Sequence, residues 1–187
     1  MTACGGPDPS AADTSPIAMP PQPDAGGAVA VLYHGHYRSL VKLAALLVPD
    51  PGAAEALVQD CFVAMHSAWR QLADTDRGLA YLHRAVVTRS RSARRHHAAG
   101  DKIVPAPAPG TPGASAAALT EPERRAVATA LQALAPRQRE VLVLRYYTGL
   151  PEDQIASAMR ISPGAVKSHT AQAMSSLRAE LRETDGH

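Results

Sequence analysis

The stretch PEDQIASAMRISPGAVKSHTAQAMSSL, residues 151–177, decides how the chain is read. Pro151 begins a short helical phrase that carries Ile155 and Met159 four residues apart, on one helical face. A three-residue break follows, Met159-Arg160-Ile161. Ser162 is then a natural N-cap, and Pro163 suits the first helical position, where a missing N–H costs nothing. From there Val166, Thr170, Ala173/Met174, Leu177 and Leu181 recur at helical spacing and are expected to face inward. A short helix, a tight turn with Ile161 buried, and a capped second helix make the layout of a helix-turn-helix. In that unit the N-terminal residues of the second helix enter a DNA major groove while the first helix crosses the backbone. The outward positions are Gly164, Lys167, Ser168, Ala171, Gln172 and Ser175. The small tip residues Ser162, Pro163 and Gly164 let the helix end, with its favourable dipole, approach phosphates.

Upstream of this unit the punctuation stays helical. Thr120-Glu121-Pro122-Glu123 is a capping box, and Val127, Ala130/Leu131 and Leu134 form the stripe of the helix it starts. Pro136 opens another helix, whose apolar residues Val141, Leu142, Leu144 and Tyr146 end at Gly149. Residues 99–119 (AGDKIVPAPAPGTPGASAAAL) read as a linker, since alternating Pro-Ala favours an extended path and proline cannot donate to a strand ladder.

Before the linker lies a second helical block. Val29, Leu32/Tyr33, His36/Tyr37, Leu40, Leu43/Ala44 and Leu47 recur at helical spacing up to Pro49. Asp50 then caps a helix with Pro51 at its start and a stripe through Ala54, Leu57/Val58, Cys61/Phe62, Met65, Trp69 and Leu72. Asp74-Thr75-Asp76 offers caps for a third helix, about Arg77–His97, with Leu79, Leu82 and Val86 buried. Residues 1–28 hold six of the 16 prolines and almost no large apolar side chains to repay ordering entropy, so they read as disordered. The expected fold is therefore all-α: two small helical domains joined by a flexible Pro/Ala-rich linker, the second a four-helix domain with a helix-turn-helix. The expected boundaries are a tail 1–28, a domain 29–98, the linker 99–119 and a domain 120–184. Such blocks are expected to fold independently and, in the free protein, to orient loosely or be fixed by an inhibitory partner.

Composition agrees and excludes other classes. Of 187 residues, 37 are Ala and only seven aromatic, so neither block can bury a large core, and small helix bundles are the economical solution. Cys4 and Cys61 make neither a disulfide framework nor a zinc spacing, which fits a reducing compartment. The first 28 residues carry three Asp and no Lys or Arg, unlike a secretory signal, and no apolar run reaches the roughly 20 residues of a membrane span. A cytoplasmic protein with no membrane partner is expected. The nucleotide-binding, nucleophile-elbow and zinc-protease motifs are absent. His34-x-His36 lacks a partnering carboxylate or thiol at metal-site spacing, and Cys61 falls on an apolar face as a small core residue. No catalytic residue, no cofactor and no metal is expected.

Net charge is +2, but its distribution is uneven. Between Arg77 and His97 lie six arginines (77, 84, 89, 91, 94 and 95), three histidines (83, 96 and 97) and no acid. Such a block is an electrostatic footprint for phosphate. Arg84, Thr88, Arg91 and Arg95 stack at spacings of three and four on one helix face.

LVQDCFVAMHSAW (57–69), GLAYLHRAVVTRSRSARR (78–95) and LAPRQREVLVLRYYTGLPEDQIASAMRISPGAVKSHTAQAMSSLRAEL (134–181) together resemble an ECF (extracytoplasmic function) sigma factor of the sigma-70 family, regions two and four. The resemblance spans residues 29–181. It implies a subunit that binds core RNA polymerase and directs it to promoter DNA, often held by an anti-sigma factor. Polymerase contact falls, by that resemblance, on the run Glu55 to Asp60 (Glu55, Gln59 and Asp60 above all) and Phe62, with Ala56 where the family usually has a second acid. The −10 element falls to Asp76, Arg77, Arg84, Thr88, Arg91 and Arg95, with Thr88 and Ser92 where Asn and Asp are common. The −35 element falls to Ser162, Gly164, Lys167, Ser168, His169, Ala171 and Gln172; His169 stands where a second arginine is usual. The same motif also resembles the C-terminal domain of LuxR-type regulators. Those carry an α/β receiver or ligand domain upstream, whereas this chain has a helical block with an arginine stripe.

Overall fold

The computed structural model describes residues 25–72, 74–100 and 120–185. Among these residues seven α-helices run in chain order: α1 (Ala25–Leu47), α2 (Ala54–Leu72), α3 (Thr75–Gly100), α4 (Glu121–Ala133), α5 (Pro136–Leu142), α6 (Glu152–Met159) and α7 (Pro163–Asp185). No strand occurs among the described residues. None of the helices described is long and apolar enough to cross a membrane.

The local signals act where the side chains reach. Asp50 Oδ1 accepts from Gly52 N at 2.9 Å and caps a short 3-10 turn, Pro51–Ala53, that leads into α2. Thr120 and Glu123 form the reciprocal capping box of α4. Helix α6 stops because Arg160 enters the left-handed region at φ 56°, which lets Ile161 N bond back to Ala156 O at 3.0 Å. Ser162 Oγ then accepts from Ala165 N at 3.2 Å and starts α7.

Two boundaries shift. Residues 25–28, expected in the disordered tail, are the first turn of α1, where Ala28 is buried against the core. Residues 99–100, expected in the linker, continue α3. The rest of the expected tail (1–24) and linker (101–119) lies outside the described residues. A third departure has a clear cause. Residues Val143–Tyr147 extend α5 as a π-segment, with Thr148 N bonded to Val143 O. The inserted residue rotates the helical phase, so Tyr146, grouped by sequence with the apolar residues of this helix, is 61% exposed and Tyr147 packs inward instead.

Helices α1, α2 and α3 pack on one another around Leu32, Leu40, Leu43, Leu47, Val58, Met65, Trp69, Leu82 and Val86. Helices α4 to α7 do the same around Leu134, Val141, Leu144, Ile155, Met159 and Val166. The two groups do not float apart as expected. Helix α3 lies along α6, and the π-segment touches α1, where Tyr147 OH donates to Ser39 O at 3.4 Å. Gln132 Nε2 donates to Leu46 O at 3.3 Å beside them.

Two glycines on helices test the packing from opposite sides. A Cβ on Gly78, in the first turn of α3, would meet Leu32 Cδ1 at 2.8 Å and Trp69 Cζ3 at 3.0 Å, both buried; a Cβ on Gly35 of α1 meets nothing within 4 Å. Gly78→Val is expected to destabilise the fold by about 1–3 kcal/mol, and Gly35→Ala to stabilise it by up to about 1 kcal/mol, as read by urea midpoints. Equal effects at the two sites would contradict this packing.

A pH dependence follows from the same α1–α3 contact. Burial, with a smaller contribution from nearby His36, lowers the His83 pKa to about 4. Between roughly pH 6.5 and 4 the unfolded chain therefore binds a proton at this imidazole that the folded chain refuses, so stability falls as pH drops through that window. From pH 7 to pH 5 the loss from this group is expected to be on the order of 1 kcal/mol. His83→Gln should flatten the slope of urea midpoint against pH; an unaltered slope would remove His83 as its source.

Candidate nucleic-acid interface

Helix α7 presents its face as the turn dictates. Val166 and Ala173 are buried, seven residues apart, and Thr170 Oγ1 donates to Val166 O at 2.7 Å on the same inner side. That phase leaves Ser162, Gly164, Lys167, Ser168, Ala171 and Gln172 exposed, with His169 half-buried at the edge. The Lys167 ammonium is 3.7 Å from Glu152 Oε1 at the start of α6, and its side chain is 74% exposed. An exposed pair of this length is a weak tether that a DNA partner can displace.

Helix α3 divides its arginines. Arg77, Thr88 and Arg95 are exposed, and Asp76 stands beside Arg77 at the helix start, its N–H donating to Asp74 Oδ1 at 2.9 Å. Arg84 is half-buried with its guanidinium 5.8 Å from the Tyr81 ring centroid. Arg95 donates to Ser92 Oγ at 2.9 Å. Arg89 reaches across to Asp60 of α2 at 3.6 Å. His83, counted with the basic block in the sequence, is partly buried and held neutral at pH 7.

Arg91 departs furthest from its expected place on the open stripe. Its guanidinium turns onto α5, with Nε 2.8 Å and Nη2 2.6 Å from the two carboxylate oxygens of Glu140. The cause is a carboxylate, 3% exposed, that has to be satisfied. Glu140 was not singled out by sequence reasoning, nor was its neighbour Arg139, which is itself 3% exposed. Arg139 donates to the carbonyls of Leu131 (2.7 Å), Gln132 and Leu134, and to Gln132 Oε1, at the corner between α4 and α5. Burial, reinforced by the positive charge of Arg94, lowers its pKa to about 10, so it stays charged at neutral pH. The available signal was two adjacent opposite charges entering the apolar run VLVL at 141–144.

On α2, Glu55, Gln59 and Asp60 are exposed. Phe62, expected with them as a polymerase contact, is 5% exposed because its ring packs on Tyr33 (5.2 Å between centroids) and Tyr37 (6.3 Å). The next residue, Val63, is the exposed one. Cys61 is buried, which raises its thiol pKa to about 11 and leaves it unreactive. Among the described residues no three His, Cys, Asp or Glu side chains gather as a metal site.

The two candidate surfaces, α7 and α3, belong to two units that known proteins also carry in this order. Residues 32–99 match Sigma-70 region 2, and residues 124–177 match Sigma-70, region 4. The upstream block is thus a sigma region and no receiver, and the LuxR-type reading falls. The RNA polymerase sigma-E factor of Streptomyces avermitilis is 35% identical over 150 residues, covering 79% of this chain and 81% of that protein. The ECF RNA polymerase sigma factor SigL of Mycobacterium tuberculosis (strain ATCC 25618 / H37Rv) is 32% identical over 158 residues, covering 81% and 88%. In structure, CnrH in complex with the cytosolic domain of CnrY aligns with a TM-score of 0.63 at 25% identity, over 85% of this chain and 95% of that one. The sigma factor RpoE of Bartonella quintana, in complex with the anti-sigma factor NepR, shares the fold at the same TM-score and 19% identity, over 82% and 96%. A helix-turn-helix behind an arginine-bearing helical block, matched along both regions, places this chain in the sigma-70 family as an ECF RNA polymerase sigma factor.

Proposed function

We propose that the chain acts without catalysis of its own, as the promoter-reading subunit of a bacterial RNA polymerase in the cytoplasm. The observation that carries this reading is the pairing of two surfaces in one chain: a capped helix with an exposed small-residue tip, and a helix rich in arginine. Residues Ser162, Gly164, Lys167, Ser168, His169, Ala171 and Gln172 read the −35 element from the major groove. The bare tip admits the phosphate backbone, while Lys167 and Gln172 are long enough to reach base edges. With Arg77, Arg84, Thr88 and Arg95, and Asp76 at the helix start, α3 serves the −10 side. Its arginines act mainly through phosphates, which position the protein without specifying sequence. Glu55, Gln59 and Asp60 supply an acidic, polar face to the polymerase clamp. An anti-sigma protein, the class that binds RpoE, completes the proposed partners.

The direct test is transcription. Wild-type chain added to core polymerase is expected to yield a promoter-specific transcript; without one, the reading fails. Within that assay the two surfaces should separate. Arg84→Ala or Arg95→Ala is expected to weaken binding on every promoter and to lower the salt slope by about 0.9 for each phosphate no longer neutralised. Lys167→Ala or Gln172→Ala should instead alter which −35 sequences are preferred, by about 1–3 kcal/mol for each good base pairing. Indistinguishable behaviour of all four variants across promoter variants would refute this division.

A further inference from the structure

The DNA-facing reading of α3, on which the following rests, leaves Arg91 in an odd position. Its guanidinium makes the two-pronged contact with Glu140 described above, the same fork by which arginine takes a phosphate. Arg91 Nη2 also lies 3.4 Å from Met159 O, and Arg137 Nη1 reaches that carbonyl at 3.3 Å and Glu140 Oε2 at 3.4 Å. Met159 ends α6, so its carbonyl sits at the negative end of a helix dipole. A carboxylate and a helix C-terminus thus offer Arg91 oxygens and negative charge much as a DNA backbone does.

We propose that Glu140 is an internal phosphate mimic that latches region two to region four in the free chain, releasing Arg91 to DNA only when the regions part. Two other polar contacts across the seam, Tyr147 to Ser39 O and Gln132 to Leu46 O, are neutral and 3.3–3.4 Å long. The charge pair is the strong one, with side chains 21% and 3% exposed. The recognition face of α7 stays open in the latched form, since Lys167, Ser168 and Gln172 are exposed. The latch therefore withholds a region-two contact and leaves the −35 surface accessible. Promoter DNA and Glu140 compete for one guanidinium, so the free chain binds DNA in proportion to its open fraction.

The test uses the full chain without polymerase. Glu140→Gln and Arg91→Gln are compared with wild type by small-angle scattering and circular dichroism, and Glu140→Gln also by binding to a duplex carrying both promoter elements. Both variants are expected to keep their helical signal and to show a larger radius of gyration. Glu140→Gln should bind the duplex about threefold tighter or more. The double variant should expand no further than either single one, because both remove the same interaction. An unchanged radius in both folded variants overturns the latch, as does expansion of Glu140→Gln without tighter DNA binding. Should Glu140→Gln lose helicity, the radius of Arg91→Gln decides alone: expansion supports the latch and wild-type compactness overturns it. The scattering needs neither DNA nor polymerase, so its failure leaves the sigma reading standing. A missing promoter-specific transcript from wild type would sink that reading without altering the scattering result.

Discussion

A carboxylate as deeply buried as Glu140 needs cations and donors brought to it, because leaving water costs far more than the fold can absorb unaided. Arg91 arrives from α3 and Arg137 from α5 itself, and the end of α6 is drawn into the same cluster through the Met159 carbonyl. Its neighbour Arg139 faces the opposite task and solves it locally, donating to the carbonyls of Leu131, Gln132 and Leu134 around the C-terminal end of α4. Two adjacent residues of a seven-residue helix thus tie α5 in two directions, one within its own region and one across to the other. In a chain with 37 alanines and seven aromatic residues, side-chain bulk alone gives helices little to register against. Buried charge supplies the register instead, and stripping one partner from such a cluster typically costs about 3–5 kcal/mol.

The placement of α6 governs what α7 offers to DNA. Arg160 turns the chain in the left-handed region, Ser162 restarts it, and the phase set by Val166 and Ala173 decides which side chains look outward. Over its first three turns the outward face is short-chained except for Lys167 and Gln172, while Arg178 and Arg182 lie exposed further along the helix. Helix α3 works differently. Its arginines sit in several settings: Arg84 above the Tyr81 ring, Arg89 shared with Asp60, Arg95 on Ser92, and Arg91 drawn off to the other region. A stripe that looks uniform in sequence is electrostatically uneven once folded.

Much of this was legible in residue order. Prolines at helix starts, the Thr120/Glu123 box, the Asp50 and Ser162 caps and the apolar stripes all operate within about four residues, so their consequences are visible without tertiary knowledge. The exposed face of α7 followed from the same periodicity; Glu55, Gln59 and Asp60, which the resemblance named, fall outside the apolar stripe of α2 and are exposed. Period had already set Phe62 on the apolar stripe of α2, and only the resemblance placed it among the polymerase contacts; the rings of Tyr33 and Tyr37, which cover it, come from another helix. Tyr146 escaped because a single inserted residue in a π-segment exchanges it with Tyr147.

The sequence by itself therefore determined the helices, their caps, the helix-turn-helix and the sign of each surface, since these depend on backbone hydrogen bonding and on side chains a turn apart. Tertiary structure alone decided which arginines of α3 stay exposed, which are paired, and how the two regions meet. Arg91 and Glu140 stand 49 positions apart, and no periodicity links them. Their pairing is a through-space answer to desolvation, settled when α3 comes to rest along α6 and a carboxylate with no access to water takes the nearest fork of N–H donors.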